Sequence, residues 1–183
     1  MLKATRETST RDPHHGRRGR AEPLANPTRP ERESAMNHMH QEVHIEAPVE
    51  HVWAFYCDTS HWQDWMPRGK CSDFSGPVDQ VGTTYVETMR LMGFEMKSTS
   101  NVVEVEPLRL IHEHTDNGPM ESYLRFEPDG EATRLVFDAD WEMPGHWPGF
   151  IKDLVNKGWA DRNIHQMLAD FKALAEAKVP VPA

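Results

Sequence analysis

The pattern of apolar and polar residues predicts a short strand followed by two helices at the start of the patterned part of the chain. Alternation over residues 40–47 indicates the strand. Pro48 suits the first turn of a helix, where its missing N–H costs no hydrogen bond. Apolar residues then recur at helical spacing up to residue 57. A second short helix is predicted over residues 60–65, ended by Pro67.

Strand-like runs separated by turn residues occupy the middle of the chain. Asn117-Gly118 and Asp129-Gly130 are hairpin signals, because these residues tolerate positive φ. Strands joined by tight turns pair in the antiparallel sense. The six predicted strands are residues 71–75, 83–92, 94–106, 108–115, 120–127 and 133–143.

The last predicted element is one long helix over residues 147–177, with an apolar stripe facing the core. Gly158 lies inside it and disfavours helix by about 1 kcal/mol relative to Ala, so it marks a kink or a close approach to a ligand. The order is strand, two short helices, six strands and a long helix, which defines an α+β chain.

Charge separates an N-terminal segment from the rest of the chain. Residues 1–35 contain eight basic and five acidic residues and four prolines, whereas the remainder has a net charge of −12 and holds all six tryptophans. We interpret residues 1–37 as a disordered basic leader, with a start codon at Met36 or Met39 as a further hypothesis. Residues 38–179 are predicted to form one domain, whose acidity argues against nucleic acid as a partner. The chain has no run of 18 apolar residues, so no insertion into a membrane is predicted.

Local sequence in this domain resembles the SRPBCC superfamily, the helix-grip proteins that include START lipid-binding domains and polyketide cyclase/dehydrase-like proteins. The resemblance rests on sequence segments such as APVEHVW and WQDWMP. The segments that carry it are residues 45–55, 61–67, 81–85, 126–130 and 133–135. It implies a helix-grip fold, in which a curved seven-stranded antiparallel sheet wraps round a long C-terminal helix, with two short helices after strand one. It also implies a hydrophobic cavity between sheet and helix. It carries no family-wide catalytic motif.

Strand parity indicates which side chains face this cavity. In the last strand, Phe137 and Trp141 share the apolar face with Leu135 and Ala139. In the strand over residues 83–92 the equivalent set is Tyr85, Glu87, Met89 and Leu91. Glu87 would then be a carboxylate on an apolar surface, which raises its pKa and suits it to acid–base work, unless it lies in water at the mouth.

A pair of histidines, His112 and His114, shares one face of a strand. With Glu87 or Tyr85 they could form an acid–base set if they face inward; a solvated edge strand is the alternative. The nearest following carboxylate, Glu121, is too far along the chain for the usual His-x-His metal motif, and no metal site is predicted.

Aromatic and charged residues from the helices complete the candidates. Trp62 and Trp65 are expected near the cavity entrance, by resemblance. Leu154 and Trp159 are expected to line the cavity from the long helix. Arg162 would either reach solvent or meet a ligand carboxylate.

The leading functional hypothesis is binding of a small hydrophobic ligand (a lipid, a quinone or a polyketide-like aromatic) in the cavity. The first alternative is a polyketide cyclase/dehydratase-type enzyme, and the second is a protein-interaction module. No cofactor is predicted. A monomer or homodimer is expected. The two cysteines, outside any CxxC pattern, favour free thiols and a cytoplasmic location.

Overall fold

A computed structural model describes residues 36–66, 69–91, 94–117, 119–143, 145, 148–156 and 158–178. The predicted leader lies outside these ranges except at its end, where Asn37 already belongs to the first strand. The described strands are β1 (Asn37–Ile45), β2 (Gly69–Ser72), β3 (Thr84–Leu91), β4 (Phe94–Glu106), β5 (Leu110–Thr115), β6 (Met120–Asp129) and β7 (Ala132–Trp141). The helices are α1 (Val49–Cys57), α2 (Trp62–Trp65), α3 (Gly149–Asn156) and α4 (Trp159–Ala177).

The seven strands form one antiparallel sheet in the order β1-β7-β6-β5-β4-β3-β2. Chain neighbours pair throughout except where β1 closes on β7. The sheet is curved, and α4 packs on its inner face, so the α+β helix-grip prediction is confirmed. A 3₁₀ turn, Thr59–His61, joins α1 to α2.

The helix α1 begins where the sequence indicated. Pro48 lies just before its first residue, and the Pro48 carbonyl accepts the Val52 N–H at 3.1 Å. The apolar stripe of α1 is buried against the sheet and α4: the ring of Trp53 lies 5.0 Å from that of Phe126, and the ring of Phe55 lies 5.2 Å from that of Phe171. Aromatic rings at these separations contribute more than their buried area alone.

The predicted long helix is two helices, which corrects the sequence interpretation. Gly158 has φ of +73°, a left-handed conformation that ends a right-handed helix and suits glycine, so α4 starts anew at Trp159. Trp147, the predicted first residue, lies outside the described residues. Within the described ranges, no helix is long and apolar enough to cross a lipid bilayer.

Replacing Phe126 by Ala should lower the free energy of unfolding by about 3–5 kcal/mol, because its ring is 1% exposed and the cavity left behind cannot be refilled by neighbouring rings. Val103→Ala is the control, since Val103 on β4 is 37% exposed and should change stability by less than about 0.5 kcal/mol. Urea unfolding measures both. Similar midpoints for the two variants would contradict this packing.

Candidate functional site

A cavity of about 270 Å³ lies between the inner face of the sheet and α4. Side chains from every strand and every helix contribute to its wall. Most of them are apolar. This volume is just below the usual range for small-molecule sites, roughly 300–1,000 Å³.

Strand β7 supplies the face that its parity predicted. Leu135, Phe137, Ala139 and Trp141 all line the cavity. Opposite them, α4 contributes a series at helical spacing, which includes Trp159, Ile164 and Phe171. Six methionines also contribute to the apolar wall: Met39, Met66, Met89, Met96, Met120 and Met167.

Seven of the residues singled out from the sequence border this space. They are Tyr85, Glu87 and Met89 from β3, Phe137 and Trp141 from β7, Trp65 from α2 and Trp159 from α4. Trp65 is only 3% exposed and forms part of the wall.

The expectation that His112 and His114 face inward is wrong. In β5 the inward positions are Ile111, Glu113 and Thr115, all buried. The two histidines lie on the outer face, where His112 Nε2 is 2.7 Å from Glu121 Oε2 and His114 Nδ1 is 2.6 Å from Glu121 Oε1. They are outside the cavity wall and cannot act with Glu87.

Three other expectations also need correction. Trp62 does not border the cavity; it is 2% exposed in the aromatic core, and its Nε1–H donates to the Tyr56 carbonyl at 2.6 Å. Leu154 does not line the cavity; it packs against Ile151 and Val155, which do. Arg162 is exposed and does not contribute to the cavity wall. The side chain of Leu91 lies outside the described residues.

Of the four acidic residues in the wall, which are Glu87, Glu113, Asp116 and Glu142, the first two carry carboxyl groups desolvated by burial. Burial raises the pKa of Glu87, and the hydrogen bond from the Ser100 hydroxyl to Glu87 Oε1, at 2.6 Å, opposes that rise. The Ser100 hydroxyl is in turn 2.8 Å from Thr115 Oγ1. Because Ser100 uses its one proton on Glu87, Thr115 is the donor of this second bond.

Glu113 is in a less favourable environment than Glu87. It is 9% exposed, and its Oε1 atom has no hydrogen-bond partner within the described part of the chain. Burial, followed by the charge of Glu87, raises the pKa of Glu113 to about 8, although the Tyr85 hydroxyl partly offsets this through hydrogen bonding. Glu113 is therefore mostly protonated at neutral pH.

Two phenols adjoin this pair. Burial, then the charge of Glu113, raises the pKa of Tyr85 and that of Tyr56 well above the usual value, so both remain protonated donors. The arrangement brings a neutral carboxyl, a hydrogen-bonded carboxyl and two phenols into contact with an apolar cavity. Such a set can bind polar groups of a ligand and can exchange protons with it.

The sequence did not identify three residues of the site, which are Glu113, Tyr56 and Ser100. The parity of β5 was ambiguous because Leu108 and Leu110 share the parity of the histidines, and only Ile111 indicates the other face. A register shift in β4 between Val102 and Glu104 adds to the uncertainty. The available signal was Ile111: Glu113 lies two residues after it and therefore shares its buried face of β5.

Comparison with known proteins supports the fold independently. A family model described as "Polyketide cyclase / dehydrase and lipid transport" matches residues 36–176. The comparison with curated protein sequences found no match.

Solved structures with the same fold share little sequence with this chain. The Zhui aromatase/cyclase from Streptomyces sp. R1128 has a TM-score of 0.68 and 20% identity, covering 80% of this chain and 98% of that one. Norcoclaurine synthase from Thalictrum flavum, in complex with dopamine and hydroxybenzaldehyde, has a TM-score of 0.59 and 15% identity, covering 80% and 90%. A START superfamily protein from Mycobacterium smegmatis has a TM-score of 0.58 and 17% identity, covering 76% and 97%.

At these identities the structural likeness shows the fold alone, whereas the family model spans most of the chain. With its helix-grip sheet and the cavity beneath α4, the chain belongs to the polyketide cyclase / dehydrase and lipid transport family of the SRPBCC superfamily.

Proposed function

We propose that this protein binds a small, mainly apolar molecule (a lipid, a quinone or a polyketide-like aromatic) in the cavity between the sheet and α4. One observation carries the proposal: the fold leaves about 270 Å³ of space lined mainly by apolar side chains where α4 crosses the sheet. A domain that served only as an interaction module would gain stability by filling this space, because interiors otherwise pack without voids.

The residues of the wall favour a flat ligand. Phe137, Trp141 and Trp159 present aromatic surface, and such side chains stack on planar rings. The methionines between them are flexible and polarisable, so they can adapt to more than one ligand shape. The Streptomyces neighbour is an aromatase/cyclase and the Thalictrum enzyme is in complex with aromatic molecules, and both support this class of ligand.

The pair Glu87 and Glu113 favours a second candidate function, a cyclase or dehydratase. The two carboxyls occupy environments that separate their pKa values: Glu87 accepts a hydrogen bond from Ser100, whereas Oε1 of Glu113 lacks a partner. Two such groups can divide the roles of base and acid. In a dehydration, ionised Glu87 would take a proton from the carbon next to a carbonyl. Protonated Glu113 would give its proton to the departing hydroxyl on the next carbon, releasing water and leaving a carbon–carbon double bond.

Filling the cavity should abolish binding while leaving the fold intact. Ala139 is 1% exposed and lies in the wall, so Ala139→Phe would place a ring in the space that the ligand needs. We expect the affinity for the apolar dye N-phenyl-1-naphthylamine, followed by its fluorescence, to fall at least about tenfold.

The matched control is Ala54→Phe, which adds the same ring at an exposed position of α1 and should bind the dye as the native protein does. Circular dichroism establishes that both variants are folded. Undiminished dye binding by folded Ala139→Phe protein would place the ligand elsewhere and contradict the proposal.

The protonated state of Glu113 can be tested through stability. Its pKa is raised from 4.5 to about 8 on folding, so between these values the folded state holds a proton that the unfolded state has lost. Stability must then fall as pH rises, by about 1.4 kcal/mol per pH unit, and the loss is complete above the folded pKa. The glutamine of the variant Glu113→Gln does not titrate. The free energy of unfolding of this variant, relative to that of the native protein, should therefore rise at that rate from pH 5 to pH 8.

Urea unfolding of both proteins at several pH values measures this difference. Glu131→Gln, at an exposed position in the turn between β6 and β7, is the control and should show no comparable growth in advantage over this interval. If the difference in free energy of unfolding between the Glu113→Gln variant and the native protein does not change from pH 5 to pH 8, Glu113 is ionised in the folded state.

A further inference from the structure

Two buried polar atoms without partners belong to residues of the cavity wall. Within the described residues, Trp65 Nε1 and Glu113 Oε1 are the two side-chain nitrogen or oxygen atoms that are buried without a hydrogen bond. Trp65 is 3% exposed and Glu113 is 9% exposed, and both line the cavity. Leaving such atoms unpaired is costly, so native proteins rarely do so without a reason.

The rest of the interior shows that partners are normally supplied. Trp62, three residues before Trp65, gives its Nε1–H to the Tyr56 carbonyl, and Thr133, equally buried, donates to the Ala47 carbonyl at 2.7 Å. Glu87, the other desolvated carboxyl of the wall, accepts from Ser100. Among the residues that the structure describes, both unpaired atoms therefore belong to the wall of the cavity between the sheet and α4.

We propose that Trp65 and Glu113 are the two polar anchors of the bound molecule, which therefore carries a hydrogen-bond acceptor and a hydrogen-bond donor on an apolar frame. The indole N–H of Trp65 is a donor only, so its partner is an acceptor such as a carbonyl oxygen. Glu113 is neutral here, and with its proton on Oε2 the unpaired Oε1 is an acceptor, which takes a donor such as a hydroxyl. The ligand is then an oxygenated molecule with hydroxyl and carbonyl groups, and a plain hydrocarbon chain would satisfy neither atom. This inference rests on the proposed ligand-binding function and assigns its polar contacts.

The test uses naphthalene probes in matched pairs, with affinities measured by calorimetry. 2-Naphthol and 2-methoxynaphthalene differ in a donor, whereas 2-acetylnaphthalene and 2-ethylnaphthalene differ in an acceptor. We expect the native protein to prefer the first member of each pair by about tenfold, the cost of one buried polar atom left unpaired.

Each anchor should control one preference. Glu113→Met keeps the length of the side chain but removes the acceptor, and it should abolish the preference for 2-naphthol while keeping that for 2-acetylnaphthalene. Trp65→Phe removes the donor and should do the reverse.

Two control variants separate anchoring from general damage. Trp62→Phe makes the same exchange at a tryptophan whose N–H is already bonded and which does not line the cavity. Glu121→Met repeats the glutamate-to-methionine exchange on the outer face of the sheet, where Glu121 is hydrogen-bonded to His112 and His114. Both controls should keep both preferences, and thermal unfolding establishes that every variant is folded.

Failure of this inference is distinguishable from failure of the proposed function. Binding of all four probes with equal affinity, unchanged in both anchor variants, would overturn the anchors and leave ligand binding intact; water molecules would then satisfy the two atoms. If none of the four probes binds, 2-ethylnaphthalene included, the ligand site itself would be overturned.

Discussion

Alternation along the strands of the sheet is the constraint on which the rest of this structure depends. Because successive side chains point to opposite faces, the register of seven strands decides what α4 meets and what lines the cavity. A slip of one residue in β5 would exchange Glu113 for His112 and His114. The same apolar sheet would then hold imidazoles where it now holds a carboxyl, and its outer face would lose the contacts to Glu121.

The cavity carries a cost that the surrounding core must offset. Glu87 and Glu113 are both desolvated in the same wall, and a protein selected for stability alone would have apolar residues at both positions. Rings packed at 5–6 Å from one another around Phe126, Trp53 and Tyr56 supply the compensating stability. Perturbed carboxyls in a concave apolar site are typical of functional positions, and this links the energetics of the fold to the proposed binding and proton transfer.

Much of the fold could be predicted from the sequence because the signals were local. Pro48 and the stripe after it placed α1, turn residues separated the strands, and the alternation Leu135, Phe137, Ala139, Trp141 identified the inner face of β7 correctly. The failures have physical causes. A positive φ at Gly158 divides the last helix, which periodicity cannot show. The parity of β5 could not be read because apolar residues occur on both of its faces near its start. Trp62 could not be told from Trp65 because residues three apart share a helical face: both are buried with their rings 5.6 Å apart, and of the two Trp65 reaches the cavity.

The central claim is that Glu113 faces the cavity as a desolvated, largely neutral acid. Carbon-13 NMR of the glutamate side-chain carboxyls, recorded from pH 3 to pH 10 on the native protein and on Glu113→Gln, tests this directly. The native protein should show one carboxyl resonance with a midpoint near pH 8, and the variant should lack it. A native spectrum in which every glutamate titrates in the ordinary acidic range would show that Glu113 is solvated, and would contradict the site described for this protein.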